Sequence, residues 1–327
     1  MNILVTGGAG YIGSHTVSEL VKKGHKVIAY DNLACGHKDK VAPNAIFIEG
    51  DINDSKKLSE TMKKFDIDSV MHFAAFAYVG ESVSNPAKYY NNNLVGGINL
   101  LNCMVKNNVK KIVFSSSCAI FGQPDKIPIT EEEKKDPISP YGKSKLFLEE
   151  MLKDYDRAYG IKSVCLRYFN AAGASLDGSN GEMHDPETHL IPLAIKACLD
   201  DKYFLTVFGK DYPTKDGTCI RDYIHILDLA DAHLKALDYL SKNKESRQFN
   251  LGSGKGYSIM EIIRGIEKQS RKKLKFIIGE RREGDPAMLI ADPTRIRAEL
   301  GWNAKHSDMK TIIQTALNWH MNSTDNR

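Results

Sequence analysis

No apolar run in the 327 residues approaches the roughly 18 needed to cross a bilayer, so no membrane partner is expected. No basic block is present either. Lys and Arg number 45 against 41 Asp and Glu, for a net charge of +4, and runs such as Arg271-Lys272-Lys273 read as solvated helix ends. That balance excludes nucleic acid as the expected partner. The six cysteines (Cys35, Cys103, Cys118, Cys165, Cys198, Cys219) are scattered, with no CxxC pair. This argues against a disulfide framework or a zinc ribbon and fits reduced thiols in the cytoplasm. His72, His184 and His225 share no ligand spacing, so they read as structural histidines and no metal is expected. Repeats and low-complexity tracts are missing. The first residues already read as a core strand, so no signal peptide is expected.

What is present is alternation. With 42% hydrophobic and 26% charged residues, the chain suits a globular protein of one large or two moderate domains. Strand-like runs at 1–6, 25–30, 45–48, 69–73, 111–114 and 161–167 alternate with helical patterns. The predicted helices include one capped by Ser55, a long one from Pro86 to Asn108, and one from Tyr141 to Tyr159. This is the pattern of an α/β fold with a doubly wound parallel Rossmann sheet. After Tyr168 the texture changes. Residues 171–187 form a Gly-, Asp- and Asn-rich loop, and shorter elements follow. A division into a cofactor domain over 1–170 and a smaller α/β substrate domain over 171–327 is expected, with the segment near 213–240 packing back on the first. A helix at about 189–199, strands at 204–208 and 247–251, and a helix at 258–270 fall to the second unit.

The first βαβ unit carries a phosphate-binding turn, Gly7-Gly8-Ala9-Gly10-Tyr11-Ile12-Gly13, between a strand and a helix. Glycines allow the sharp turn, and a pyrophosphate can rest on the helix N-terminus. Asp31, at the end of the second strand, suits a ribose 2′-hydroxyl and repels a 2′-phosphate, which favours NAD over NADP. Ligands in such sheets bind beyond the carboxyl ends of the strands, where Asp31, Asp51, Phe73 and Ser117 fall. Tyr141 and Lys145 are four apart on a helix and so share a face. A lysine ammonium and a cationic nicotinamide would pull the phenol down from its ordinary value of about 10, making Tyr141 a general base. Ser117 would bond the same substrate oxygen.

GGAGYIG at 7–13, SSS at 115–117 and YGKSK at 141–145 resemble the extended short-chain dehydrogenase/reductase family. The stretches HFAAFAYVGESV (72–83), YYNNN (89–93), LRYFNAAGA (166–174), VFGKDYPTKDGTCIRDYIHILDLADAH (207–233), NLGSGKG (250–256) and RREGDPA (281–287) narrow the likeness to its UDP-glucose 4-epimerase branch. The resemblance covers nearly the whole chain.

The resemblance implies an NAD-dependent isomerase that interconverts UDP-galactose and UDP-glucose by transient oxidation at sugar C4. It implies Ser117, Tyr141 and Lys145 as the catalytic group. For the cofactor it implies Gly7, Gly10, Tyr11, Ile12, Gly13, Asp31, Asn32, Asp51, Ile52, Phe73, Ala74, Ala75, Asn92, Ser115, Tyr168 and Phe169, with Tyr141 and Lys145. For the UDP-sugar it implies Asn170, His189, Leu190, Thr206, Phe208, Arg221, Tyr223, Arg282, Asp285 and Leu289, with Ser117 and Tyr141. Guanidinium forks suit a diphosphate. A homodimer through the helices 86–108 and 141–159 is likewise implied. Ala77 stands where a relative has a phosphate-binding lysine, which predicts weaker cofactor binding. His189 replaces a usual asparagine, and Leu289 falls at a pocket wall that elsewhere varies between tyrosine and a small residue, so N-acetylated sugars are a possible substrate. A 4,6-dehydratase or decarboxylase is the rival enzyme. A dehydratase would carry carboxylates after the strand-end serine, but Ser117 is followed by Cys118-Ala119-Ile120-Phe121. A net dehydrogenase that releases NADH is another rival. A non-catalytic NAD-sensing protein is the alternative of a different class; such proteins commonly lose the Tyr/Lys pair retained here.

Overall fold

The computed structural model describes residues 1–242, 245–282 and 284–324. Glu283 of the RREGDPA stretch and the chain beyond 324 lie outside the described residues. The strands are β1 (Asn2–Thr6), β2 (Lys26–Asp31), β3 (Ile46–Glu49), β4 (Ser69–His72), β5 (Lys111–Ser117), β6 (Lys162–Tyr168) and β7 (Asn170–Ala172). They continue with β8 (Leu205–Phe208), β9 (Ile220–His225), β10 (Arg247–Leu251), β11 (Gly256–Ser258), β12 (Phe276–Gly279) and β13 (Met288–Leu289). The helices are α1 (Tyr11–Lys22), α2 (Ser55–Phe65), α3 (Val79–Ser84), α4 (Pro86–Tyr89), α5 (Gly96–Lys106) and α6 (Pro140–Tyr159). After them come α7 (Leu190–Leu199), α8 (Ile226–Ser241), α9 (Ile259–Ser270), α10 (Thr294–Leu300) and α11 (Met309–Thr324).

The main sheet has seven strands in the order β10-β6-β5-β4-β1-β2-β3, and every neighbouring pair is parallel. Its strands are apolar on both faces, as burial on both sides demands. Along β1 the side chains alternate between two cores. Ile3 and Val5 join Val17, Leu20, Leu229, Leu237 and Trp302 on one face. Leu4 joins Leu58, Leu100, Met104 and Leu148 on the other. The chain reverses direction between β1 and β4, which opens a crevice at their carboxyl ends.

The expected doubly wound sheet is present, with one strand more than the six expected. β10 lies at its edge beside β6, although its sequence falls in the stretch expected to form the second unit. Trp302 and Ile296 enter the same core, so the second half of the chain returns repeatedly to the first sheet. Outside it, β9 is flanked by β11 and β13 and also pairs β7, while β8 pairs β12. A third core of Ile191, Ile195, Val207, Ile262, Ile266 and Ile312 sits beneath them.

Two local expectations are corrected. Asp54, not Ser55, caps α2, accepting from Lys57 N at 2.9 Å. The helix expected over 86–108 is interrupted by a widened turn at Tyr90–Val95. There Asn93 exchanges two hydrogen bonds with the Phe76 backbone, at 2.9 and 3.0 Å, and reaches Ser144 Oγ at 3.3 Å. Widened helical turns commonly mark functional places, and this one fixes the chain leaving β4 against α6.

Candidate active site

The turn after β1 is packed too tightly for side chains. A methyl group added at Gly13 would stand 2.0 Å from the Gly7 carbonyl oxygen, and one at Gly7, where φ is +73°, 2.5 Å from Ala74 N. α1 starts with neither a side-chain cap nor an acidic residue in its first turn, so its N–H groups face outward at Tyr11 and Ile12. Asp31 closes the crevice from β2. Its carboxylate accepts from Ala9 N at 3.0 Å and from Leu33 N at 2.8 Å, and burial raises its pKa. Asp51 accepts from Asn32 Nδ2 at 2.8 Å and from Asn53 N at 2.7 Å, with Ile52 buried beside it. Phe73, Ala74 and Ala75 follow β4 at the same edge; the Phe73 ring lies 4.7 Å from the His233 ring. At the same edge Tyr11 donates to the Gly173 carbonyl at 2.6 Å, and Asn92 donates to Asn93 Oδ1 at 2.9 Å.

Ser139 caps α6, accepting from Gly142 N at 3.1 Å, and this delivers Tyr141 and Lys145 to the ends of β5 and β6. Tyr141, Lys145 and Ser117 are all buried. Burial pushes the Tyr141 phenol up to about 12, although a hydrogen bond from Ser117 opposes it. Burial also lowers Lys145 to about 7. Its ammonium donates to the Ser115 carbonyl at 2.8 Å and lies 5.7 Å from the Tyr141 ring centroid. Among the protein's own groups, desolvation is the largest influence on the phenol, and it lowers the lysine as well. Ser115 and Tyr168 share a short hydroxyl–hydroxyl contact, and Phe169 is buried next in sequence.

Across the crevice stand the side chains expected to hold a nucleotide sugar. Arg221 on β9 pairs with Asp285, and Leu289 on β13 lies in register beside it. The Arg282 guanidinium stacks 4.2 Å from the Phe208 ring centroid. Thr206 precedes Phe208 on β8, and Leu190 opens α7. Asn170 donates to the Asp222 carbonyl at 3.0 Å, and Tyr223 is buried with a raised pKa. Leu289, in register beside Arg221, packs on the same cluster as Phe169 and Cys118, the neighbour of Ser117. The two sides of the crevice therefore meet at the end of β5. His189 is instead drawn to carboxylates, 2.8 Å from Glu182 Oε1 and 2.9 Å from Glu187 Oε1. Burial lowers its pKa, but the two carboxylates prevail and raise it to about 10.

The sequence reading missed the supports. Asp222 gathers Ser253 N at 2.8 Å, Gly254 N at 3.0 Å and Ala291 N at 3.2 Å, which fixes the strand bearing Arg221. Glu149 accepts from Ser116 Oγ at 2.5 Å and from Arg167 directly behind the serine strand. An acid on the inward face of a helix was the available signal.

This crevice is that of a dinucleotide-binding enzyme, and the pattern of the NAD dependent epimerase/dehydratase family matches residues 3–252; the chain belongs to that family. It is 50% identical over 320 residues to UDP-glucose 4-epimerase of Lactobacillus helveticus, spanning 98% of this chain and 97% of the relative. The crystal structure of UDP-glucose 4-epimerase from Brucella ovis in complex with NAD is similar at a TM-score of 0.94, with 49% identity and 97% of each chain covered. The UDP-Glc/GlcNAc 4-epimerase from Campylobacter jejuni is similar at 0.86, with 41% identity over 98% of this chain and 99% of that one.

Proposed function

We propose that this chain is a UDP-glucose 4-epimerase that interconverts UDP-galactose and UDP-glucose by oxidising the sugar at C4 and reducing it from the opposite face. The observation that carries the reading is the buried junction at the end of β5. Tyr141 and Ser117 meet there, and the cluster of Cys118, Phe169 and Leu289 joins that end of β5 to the strand in register with Arg221.

The residues present fit NAD. The closed glycine turn leaves the uncapped end of α1 open to a diphosphate, and Asp31 suits the adenosine ribose. When bound, NAD supplies the acceptor and then the donor of the C4 hydride, and a cationic ring that draws the nearby phenol down from about 12. Tyr141 takes the proton of the sugar 4-hydroxyl and later returns it. Ser117 holds the same oxygen, and Lys145, anchored on Ser115, orients cofactor hydroxyls. Arg221 and Arg282 hold the diphosphate, Asp285 the uridine ribose and Asn170 a phosphate oxygen. Leu190, Thr206, Phe208 and Tyr223 frame the nucleotide. Binding energy concentrated in UDP leaves the keto sugar free to turn over. We assign the UDP-sugar to the elements after residue 171 that stand off the main sheet.

Purified protein incubated with UDP-galactose and no added NAD should form UDP-glucose. Steady growth of NADH absorbance with UDP-glucose and added NAD⁺ would instead mark a net dehydrogenase and overturn the reading. The half-buried Leu289 at the crevice favours a second activity on UDP-N-acetylhexosamines, as the Campylobacter jejuni relative's name records for that protein. Val95 at the head of α5 and Phe147 on α6 are exposed apolar side chains, and we extend the proposal to a homodimer across these helices, tested by sedimentation. All six cysteines are unpaired, as suits a reducing cytoplasm.

A further inference from the structure

We infer that Glu182, His184, Glu187 and His189 form a site for one zinc-class divalent cation, which ties the 171–189 loop down beside the glycine turn. The four side chains alternate as E-x-H-x-x-E-x-H, and their ligand atoms all lie within 4.8 Å of one another. His184, compared at the outset with His72 and His225, has His189 as its near neighbour, with a ring centroid 5.1 Å away.

Geometry carries the inference. Zinc bonds to imidazole and carboxylate of about 2.0–2.2 Å imply ligand–ligand edges of about 3.3–3.5 Å in a tetrahedron. Three edges that share one oxygen per acid can be read directly. His189 Nδ1 lies 2.8 Å from Glu182 Oε1 and 2.9 Å from Glu187 Oε1, and His184 Nδ1 lies 3.1 Å from the same Glu182 oxygen; the other Glu187 oxygen, Oε2, is 3.8 Å from His184 Nδ1. The three fall a little short of the required value, so a cation would part these groups slightly. Two imidazoles with two carboxylates favour zinc, and iron or nickel after it, over calcium or magnesium, which take oxygen ligands. The rings of Tyr78 and Tyr11 wall the cluster, 6.0 and 6.2 Å from His184.

The consequence lies in what the loop touches. Asn180 donates to Ser14 Oγ at 2.9 Å, and His37 contacts the Met183 carbonyl at 2.9 Å. Tyr11 donates to Gly173, and the Trp319 indole donates to the Glu182 carbonyl at 2.9 Å. Gly181 passes under that indole, where an added methyl would stand 2.4 Å from the ring. A cation held by four groups from 182 to 189 would fasten the start of α7 to the loop that rests on α1.

The test uses the full-length protein and Zn²⁺ alone, titrated by calorimetry and by the fluorescence of Trp319. We expect one Zn²⁺ per chain, a Kd of micromolar or tighter, and a Tm that rises with Zn²⁺ and falls with chelator. His184→Ala combined with Glu187→Gln should weaken binding at least tenfold, whereas Cys35→Ser, which removes an exposed thiol nearby, should not. Absence of stoichiometric binding, or equal affinity in the double variant, overturns the site and leaves an ion-paired network that holds a proton. Should the double variant not fold, anomalous scattering at the zinc edge from wild-type crystals decides: a peak among these four side chains supports the site, and none rejects it.

Discussion

Arg167 and Arg221 are both paired with a carboxylate, yet the two regions around them are built differently. Arg167 lies on β6 in the main sheet, almost wholly buried, and bonds both oxygens of an equally buried Glu149. Glu149 also takes the Ser116 hydroxyl, so that acid is committed to holding the strand that carries Ser117. Arg221, on the small sheet, meets one oxygen of Asp285, a partner 28% exposed, and donates otherwise to the carbonyl of its own neighbour Ile220. The first arginine is spent on the fold. The second keeps donors in reserve at the mouth of a crevice, where an anion can displace a half-solvated carboxylate at small cost. The cofactor side is thus rigid and made largely of backbone and glycine, whereas the sugar side is made of side chains brought together from short strands.

Tyr141 stands where the regions meet, and its loss carries the largest expected effect. Tyr141→Phe should lower kcat by about 10²–10⁴-fold, with little loss of UDP affinity, since removal of a general base costs that much. Near-wild-type turnover, measured in a coupled assay, would remove the phenol from the chemistry. The paired arginines come next. Glu149→Ala leaves a buried guanidinium uncompensated and should cost about 3–5 kcal/mol of stability, read as a lower urea midpoint. Asp285→Ala opens a part-exposed pair and should cost under about 1 kcal/mol of stability while changing UDP affinity. Equal losses in the two variants would end the distinction between the regions.

How much of this was legible in the sequence follows the same division. The glycine turn, its flanking strands and Asp31 sit within thirty-one residues, so local pattern reports them. The order of the main sheet was less legible, because β10 joins β6 from far along the chain, after β7, β8 and β9. On the sugar side, β7, β9 and β13 have three, six and two residues, too few for periodicity to speak. Arg221, Asp285, Phe208 and Arg282 were reached through family resemblance alone. Spacing places a lysine near a phenol without saying that both are desolvated. The Glu/His cluster escaped because histidines were compared without the acids between them.

Buried imidazoles give both regions a pH signature. Burial lowers His72 to about 3 and His233 to about 4, both within the main-sheet region, and His225 to about 4 at the end of β9. A histidine depressed in the folded state contributes stability above its unfolded pKa, near 6.5, and that contribution is lost as the pH falls toward the folded value. Each should cost about 2 kcal/mol between pH 7 and pH 5. His233 is the cleanest probe, because its Nε2 is buried without a hydrogen-bond partner and its ring packs on Phe73. In His233→Leu the urea midpoint should depend less steeply on pH over that range. An unchanged slope would mean that the imidazole is already charged in the native state.

The smallest expected effect sharpens the sugar side. Leu289 lies beside Arg221 in register and packs on the cluster of Ile120, Phe169 and Ala291, so its side chain borders both the rigid region and the crevice. Leu289→Tyr adds a ring and a hydroxyl at that border without touching Tyr141 or the glycine turn. A difference of a few buried carbons shifts discrimination by about 1–3 kcal/mol. Turnover of UDP-N-acetylgalactosamine relative to UDP-galactose should therefore fall by about tenfold or more, with the rate on UDP-galactose largely kept. A ratio of rates that does not move would take Leu289 out of substrate selection and leave N-acetyl tolerance to the side chains around Phe208 and Arg282.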